Sequence, residues 1–372
     1  MSDLDGDPPA ANEPGPSEPE PNQPARRRRW RPWAFAGLAL LLVLIAGGGF
    51  YAWRLNSHLN NIDRFDTGEI KNRPAKADNK AINVLLLGSD KGKEVAGSGA
   101  DLAEDADAAT WPKGKYRSDT LMVVHISADR ERVQVVSIPR DTFTMLYDGE
   151  GNPQHKEKIN AAFANWGPTG AISTVEHLTG VRIDHVAIID WAGFKELSTA
   201  LGGVPVTIPE AVYDSKQHKQ WEARDYLLKG EEALQYVRMR YGLTRSDFDR
   251  INRQQNFLRS LMREMLDSGK LTKPLEFDAM LKALTKNLVV DDAWTNDDLR
   301  SLAIGLRGLD QEKVVFLTTP IGAERSDPTY GAVLEIDKPK AKALFAALRG
   351  DKMRSYLKKY PDDALAEDDQ IS

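Results

Sequence analysis

The apolar residues of this chain fall into one long run followed by many short ones. From Trp33 to Trp53 the sequence reads WAFAGLALLLVLIAGGGFYAW without a charge, close to the ~20 residues that span a bilayer. Beyond it, Ile82 to Leu87 (INVLLL) ends in Gly88-Ser89-Asp90, the pattern of a buried strand stopping at a turn. Thr120 to Ile126 and Arg132 to Ile138 predict two more strands, and residues 128–131 between them are short enough for a hairpin. Helices are expected from Pro168 to Leu178 (closed by Gly180), Trp191 to Leu201, Glu231 to Arg238, Asp247 to Asp267 and from Pro339, with strands at His185 to Ile189, Gly203 to Ile208, Lys313 to Thr318 and Ala332 to Ile336. Strands and helices interleave with no internal repeat. The expectation is one α/β (α+β) domain over residues 81–350, a mixed sheet covered by helices. Residues 54–80 are polar and expected to be a stalk, 91–115 a Gly, Ala and Asp-rich loop, and 351–372 an acidic tail, solvated from Asp362 onward.

Composition and charge place the long run. The first 25 residues are almost devoid of apolar side chains, a disordered composition. Arg26 to Arg29 and Arg31 precede the run, and Trp30, Trp33, Tyr51 and Trp53 stand where interfacial aromatics belong. The positive-inside rule then makes 1–32 cytoplasmic, 33–53 a transmembrane helix, and the remainder extracytoplasmic. The run exceeds a signal-peptide core and no A-x-A-like site closes it, so an uncleaved anchor is expected. A net charge of −5 argues against binding nucleic acid through overall positive charge. The absence of cysteine excludes disulfides, thiolate metal sites and a cysteine nucleophile.

The candidate chemistry lies at the strand ends. The first strand ends at Asp90, the second begins after Arg117 and Asp119, and the third ends at Arg140-Asp141. If the first two run antiparallel, all five gather at one edge of the sheet. Arg117 and Asp119, two apart on extended backbone, point to the same side. Further on, Arg238 and Arg240 would diverge by about 200° on a continuing helix and act together only where the chain straightens. The next helix has Ser246 and Asp249 at capping-box spacing. On it Asp247, Arg250 and Gln254 lie within roughly 60° of surface, beside an apolar stripe of Phe248, Ile251, Leu258, Met262 and Met265.

Taken singly, such charges are most often solvated surface residues. Here they form dense, mixed-sign clusters beside apolar strands. Guanidinium forks match phosphate oxygens, and carboxylates in the same place suit a hard cation such as Mg²⁺. That combination fits a pyrophosphate held for in-line phosphoryl transfer.

At these residues the sequence resembles the LytR-CpsA-Psr family of cell-wall glycopolymer ligases. The likeness runs from about Ile82 to Met265 and includes NVLLLGSD (83–90), YRSDT (116–120), SIPRD (137–141), KIN (158–160), D-x-x-G-F (190–194), LGGVPV (201–206), L-x-G-x-x-A-L-x-Y-V-R-x-R (228–240) and D-x-x-R-x-x-R-Q (247–254). Each motif is weak alone; their order behind an apolar N-terminal run is specific. The resemblance implies transfer of a polyprenyl-pyrophosphate-linked teichoic acid, capsular polysaccharide or arabinogalactan to peptidoglycan. By the same resemblance Asp90 and Asp119 hold Mg²⁺, while Arg117, Arg140, Arg238, Arg240 and Gln254 contact the pyrophosphate with Lys158 and Asp247 close by. Arg250 and Arg253 match the motif, with a structural role as the alternative, and Asp141 and Asp247 are candidate general bases by position. The 91–115 insertion departs from the shortest members and is expected to bear on acceptor choice. His125, His177 and His185 are expected to be structural. Two rival functions stay open at this stage: a pyrophosphatase using the same site with water as acceptor, and a non-catalytic envelope regulator or lipid-binding module.

Overall fold

The structure is a computed structural model that describes residues 53–91, 99–107, 111–239, 241–242, 247–267, 273–367 and 370–371. The predicted transmembrane run therefore lies outside the described residues except for Trp53. Among the described residues no helix is long and apolar enough to cross a membrane.

A seven-stranded mixed sheet organises residues 53–372. Its order is β1 (Asp63–Phe65), β12 (Leu288–Asp291), β7 (His185–Asp190), β2 (Ile82–Lys91), β3 (Tyr116–Ile126), β4 (Val133–Ile138) and β13 (Val314–Thr318). The predicted hairpin of β3 and β4 is present, and β2 pairs antiparallel with β3 from Ile82↔Ile126 to Lys91↔Tyr116. β7 runs parallel to β2, and β13 parallel to β4. The C-terminal ends of β2, β4, β7 and β13 and the start of β3 therefore share one edge.

Side-chain alternation distributes the cores. Leu85, Leu87, Leu121 and Val123 on one face pack with Phe163, Ile172 and Val175 of α3 (Asn160–Thr179). On the other face Met122, Ile126, Val133 and Val135 meet Leu258 and Met262 of α6 (Asp247–Asp267), from the predicted apolar stripe. A satellite core joins α4 (Trp191–Ala200), α5 (Gly230–Arg238), α7 (Pro274–Lys286) and the hairpin of β8 (Val204–Ile208) with β11 (Arg224–Leu228) around Trp221, Tyr236 and Phe257.

α3 extends the predicted helix toward its N-terminus across a kink. Trp166 and Gly167 leave helical geometry, Pro168 resumes it, and Gly180 closes it in the left-handed region. Gly167 has φ +67, and a Cβ there would come within 2.8 Å of the Trp111 ring.

Three expectations about the flanking segments are corrected. Residues 54–80 are a folded part of the domain rather than a stalk: helix α1 (residues 53–60) leads into β1, and Ile62, Phe65 and Ile70 are buried. The 91–115 segment is not wholly a loop. It contains α2 (Gly99–Asp107), whose Leu102 and Ala103 are buried, and Trp111, whose Nε1 donates to the Ala164 carbonyl at 3.1 Å. The C-terminal stretch is docked up to residue 367. Met353 and Tyr356 of α10 (Met353–Lys359) pack against Val136 and Leu317, Leu365 N donates to the Phe316 carbonyl at 2.8 Å, and Asp363 pairs with Lys340. In each case a few spaced apolar residues find an existing surface, a signal too sparse for periodicity to register.

α1 is clamped to α7 through Asp278, which accepts from Arg54 Nε at 2.7 Å and Nη2 at 2.8 Å and lies 2.9 Å from His58 Nε2. The hydrogen bonds from Arg54, more than any other contact, hold the Asp278 carboxyl down at about 2, below its ordinary 3.8. A depressed carboxyl stabilises the fold above its ordinary pKa and loses that contribution as pH falls through the folded value. Asp278→Asn is expected to lower the melting temperature at neutral pH. The gap to the parent protein should narrow as pH falls from about 4 towards 2 and vanish only below the folded value; a gap undiminished at pH 2 would refute the clamp.

Candidate active site

The shared sheet edge gathers most of the predicted charges. Asp90 lies opposite Arg117 in the β2–β3 register. Asp119 is the extra residue of a β-bulge, since the register steps from Gly88↔Thr120 to Ser89↔Ser118. A bulge of this kind shifts side-chain parity. Tyr116 accordingly joins Leu121 and Val123 in the α3-side core, leaving Arg117 exposed and turning Asp119 and Thr120 toward α6. Arg117 and Asp119 do share a side, as their spacing predicts; the bulge decides which side.

Arg140 sits just past β4. Its Nη1 donates to Asp119 Oδ1 at 2.6 Å, and its Nε lies 3.6 Å from Asp141 Oδ2. A tight turn (Thr142 N to the Pro139 carbonyl, 3.0 Å) starts the hairpin of β5 (Phe143–Tyr147) and β6 (Pro153–Lys158). That hairpin returns Lys158 to place its Nζ 3.2 Å from Asp141 Oδ1. Asn160 N then donates to the Arg140 carbonyl at 3.2 Å, and Leu334 N to the Asp141 carbonyl at 2.9 Å, so the backbone of 140–141 is held from both sides. The Arg140, Asp141, Asp119 and Lys158 side chains are 15–24% exposed, open enough for a ligand to reach.

The end of α5 approaches the same edge. α5 ends at Arg238, and Met239 takes ψ 133, which is the straightening that joint action with Arg240 requires. Arg238 is exposed; Arg240 and the side chain of Asp247 lie outside the described residues, as does the Ser246 cap. Gln254 ties these elements together: it accepts from Thr120 Oγ1 at 3.4 Å and donates from Nε2 to the Val237 carbonyl at 3.2 Å. Its amide is thus engaged in bracing α5 and α6 against β3, next to the expected phosphate contact.

Arg250 and Arg253 are both 2% exposed. The Arg253 guanidinium lies over the Tyr236 ring at 5.4 Å, and burial lowers its pKa from the ordinary value against the opposing pull of Tyr236, Asp249 and Asp214. Sequence reasoning missed Gln255, whose Nε2 donates to Ser137 Oγ at 2.7 Å and to the Leu317 carbonyl at 2.6 Å, fixing α6 across β4 and β13. The three histidines are all structurally engaged. His125 is buried between Asn83 and Asp351, His177 stacks on Tyr147, and His185 stacks on Trp294 beside Asp291.

Asp119, and Asp90 whose side chain lies outside the described residues, stand on adjacent, hydrogen-bonded strands, and carboxylates are hard oxygen donors of the kind suited to Mg²⁺. Among the described residues no cluster of three or more potential metal-ligating side chains occurs. A cation here would rest on two carboxylates, with water and substrate phosphate oxygens completing its shell, as Mg²⁺ prefers.

Comparison with known proteins gives a consistent result. A model of the LytR_cpsA_psr family matches residues 54–350. The cell wall biosynthesis protein LcpA of Corynebacterium glutamicum is 30% identical over 344 residues, 85% of this chain and 65% of that protein. This chain thus spans just under two thirds of LcpA. The polyisoprenyl-teichoic acid–peptidoglycan teichoic acid transferase TagU of Halalkalibacterium halodurans is 32% identical over 69% of this chain and 79% of its own length. Among solved structures, Bacillus subtilis TagV superposes with a TM-score of 0.56 at 26% identity, covering 74% of this chain and 98% of that one. A LytR-Csp2A-Psr enzyme from Actinomyces oris shares the fold with a TM-score of 0.56 at 20% identity, over 77% and 97% of the two chains.

Proposed function

This chain belongs to the LytR_cpsA_psr family, and from that premise we propose that it is a transferase moving a polyprenyl-pyrophosphate-linked anionic glycopolymer onto peptidoglycan. The observation that carries the reading is the meeting of Arg140, Asp119, Asp141 and Lys158 with Arg117 at one sheet edge. Guanidinium and ammonium groups there suit two linked phosphates, and the flanking carboxylates suit a cation and a proton acceptor. The relatives named as teichoic acid transferases support the same class of reaction.

In the proposed reaction a sugar hydroxyl of peptidoglycan, most simply a 6-hydroxyl, attacks the phosphorus bonded to the glycan. A new P–O bond forms, the bond to the bridging pyrophosphate oxygen breaks, and polyprenyl monophosphate leaves. Arg117 and Arg140, with Arg238 and Arg240 from the second set, balance the charge that grows on the leaving phosphate. Asp141, with Lys158 Nζ 3.2 Å from its Oδ1, would accept the hydroxyl proton, with Asp247 the alternative. Mg²⁺ bound at Asp90 and Asp119 would supply further neutralisation of phosphate charge. The 33–53 run is proposed to anchor the domain in the membrane where its lipid donor resides, with residues 1–32 cytoplasmic.

The test is a reconstituted assay with a polyprenyl-pyrophosphate oligosaccharide, Mg²⁺ and peptidoglycan fragments. Release of polyprenyl monophosphate is expected only when fragments are present, with glycan mass appearing on them, and is expected to stop on chelation. Release without acceptor would make the protein a hydrolase, and no release would leave it a lipid-binding or regulatory module.

A further inference from the structure

Among the described residues six large apolar side chains are strongly exposed, and four belong to elements around the start of α1. α1 runs antiparallel along α8 (Asn296–Leu306): Asn296 bonds Asn60 at one end and Arg300 bonds Asn56 one turn on. Continuing that pairing brings Trp53 level with Ile304, which are 63% and 61% exposed. On its other side α1 is held by α7 through Arg54 and Asp278, and Leu275, one turn earlier on α7, is 85% exposed. α7 packs along α4 with its C-terminal Lys286 and Asn287 bonded to Glu196. The opposite end of α7 therefore lies by the chain that leaves α4 at Gly202-Gly203. There Leu227, 62% exposed, lies so close to Gly203 that a Cβ would meet it at 2.6 Å.

A soluble surface seldom gathers exposed large apolar groups without a partner. The chain itself indicates the partner, because the uncharged run Trp33 to Trp53 ends at the first residue of α1. We propose that the surface formed by Trp53, Ile304, Leu275 and Leu227 rests in the interfacial layer of the bilayer, so that the domain lies docked on the lipid surface rather than swinging from its anchor. The proposal rests on the reading of 33–53 as a membrane anchor. Trp suits this depth because its ring is apolar and its N–H stays in the polar headgroup region; Leu and Ile add buried apolar area, to which interfacial binding is proportional.

The chain contains no cysteine, so single labels are clean. Leu275→Cys, Ile304→Cys and the exposed control Lys358→Cys each receive an environment-sensitive fluorophore in the full-length chain reconstituted into phosphatidylglycerol–phosphatidylcholine vesicles. Lys358 is on α10, over the β13 edge of the sheet and opposite the β1 edge. Emission at 275 and 304 is expected to shift blue and to lose intensity when the acyl chains are brominated, with no change at 358. Water-like emission at 275 and 304, from chain that floats with the vesicles, would overturn the docked surface and leave the anchor standing. A blue shift without quenching would mean that a second copy or another protein covers the patch, also overturning it. Chain that fails to float would overturn the anchor and the docked surface together.

Discussion

Arg140→Ala is expected to lower glycopolymer transfer by roughly 10²–10³-fold or more, the loss typical of removing a preorganised donor to developing oxyanion charge. Arg140 is the residue on which the site's geometry turns: its guanidinium bonds Asp119 from β3 and reaches Asp141 from its own turn. Its loss removes positive charge from the phosphate and leaves two carboxylates repelling it. The fold should survive, because Arg140 and both partners are partly open to solvent and water can replace the lost bonds. Arg140→Lys keeps the charge and loses the planar fork, so an intermediate rate is expected. Polyprenyl monophosphate release, read beside the melting temperature, checks both; an Arg140→Ala protein that transfers at the parental rate would sink the site assignment.

The largest expected stability loss lies elsewhere, at Glu176. Its side chain is fully buried and accepts from Arg73 Nε at 2.9 Å, Arg73 Nη2 at 2.6 Å and Ile183 N at 2.8 Å. Its backbone carbonyl takes the Gly180 N–H that closes α3. Glu176 thus shapes the turn that feeds β7 into the sheet beside β2. Glu176→Ala would strand the Arg73 charge and a buried N–H, a loss of about 3–5 kcal/mol by analogy with broken buried pairs. Glu176→Gln, which keeps the shape and one acceptor, should cost less. Urea unfolding of both variants measures the difference; equal stability would show that the pair contributes little. Since Glu176 is remote from the proposed chemistry, transfer per folded molecule should be unchanged.

The elements that the chain announced on its own were those with strong local signals. INVLLL, TLMVVHI and RVQVVSI are dense enough in β-branched and aliphatic residues to be strands in most contexts. That Asp90, Arg117, Asp119, Arg140 and Asp141 meet was conditional on antiparallel pairing of the first two strands across the long 91–115 connection. The break after Arg238 was legible only as a condition, since Arg238 and Arg240 can act together only if the helix stops. Tertiary contacts decided the rest. The bulge at Asp119 sets which face the Arg117–Asp119 pair takes, and it depends on pairing with Gly88, where a side chain would crowd Thr120. Gln255 was passed over because its neighbour Gln254 carries the motif, and about 100° of helical rotation sends the two to different partners. Residues 54–80, α2 and the stretch from Met353 to Leu365 carry too few apolar groups to fold alone; each is ordered by surfaces made elsewhere in the chain. Local sequence therefore determined that the charged residues stand at strand ends, since those follow from short-range pattern, while the β2–β3 pairing brings them together. Which face they share, what braces them and which flanking segments join the domain were decided by the tertiary structure, because those depend on burial against residues far away in the chain.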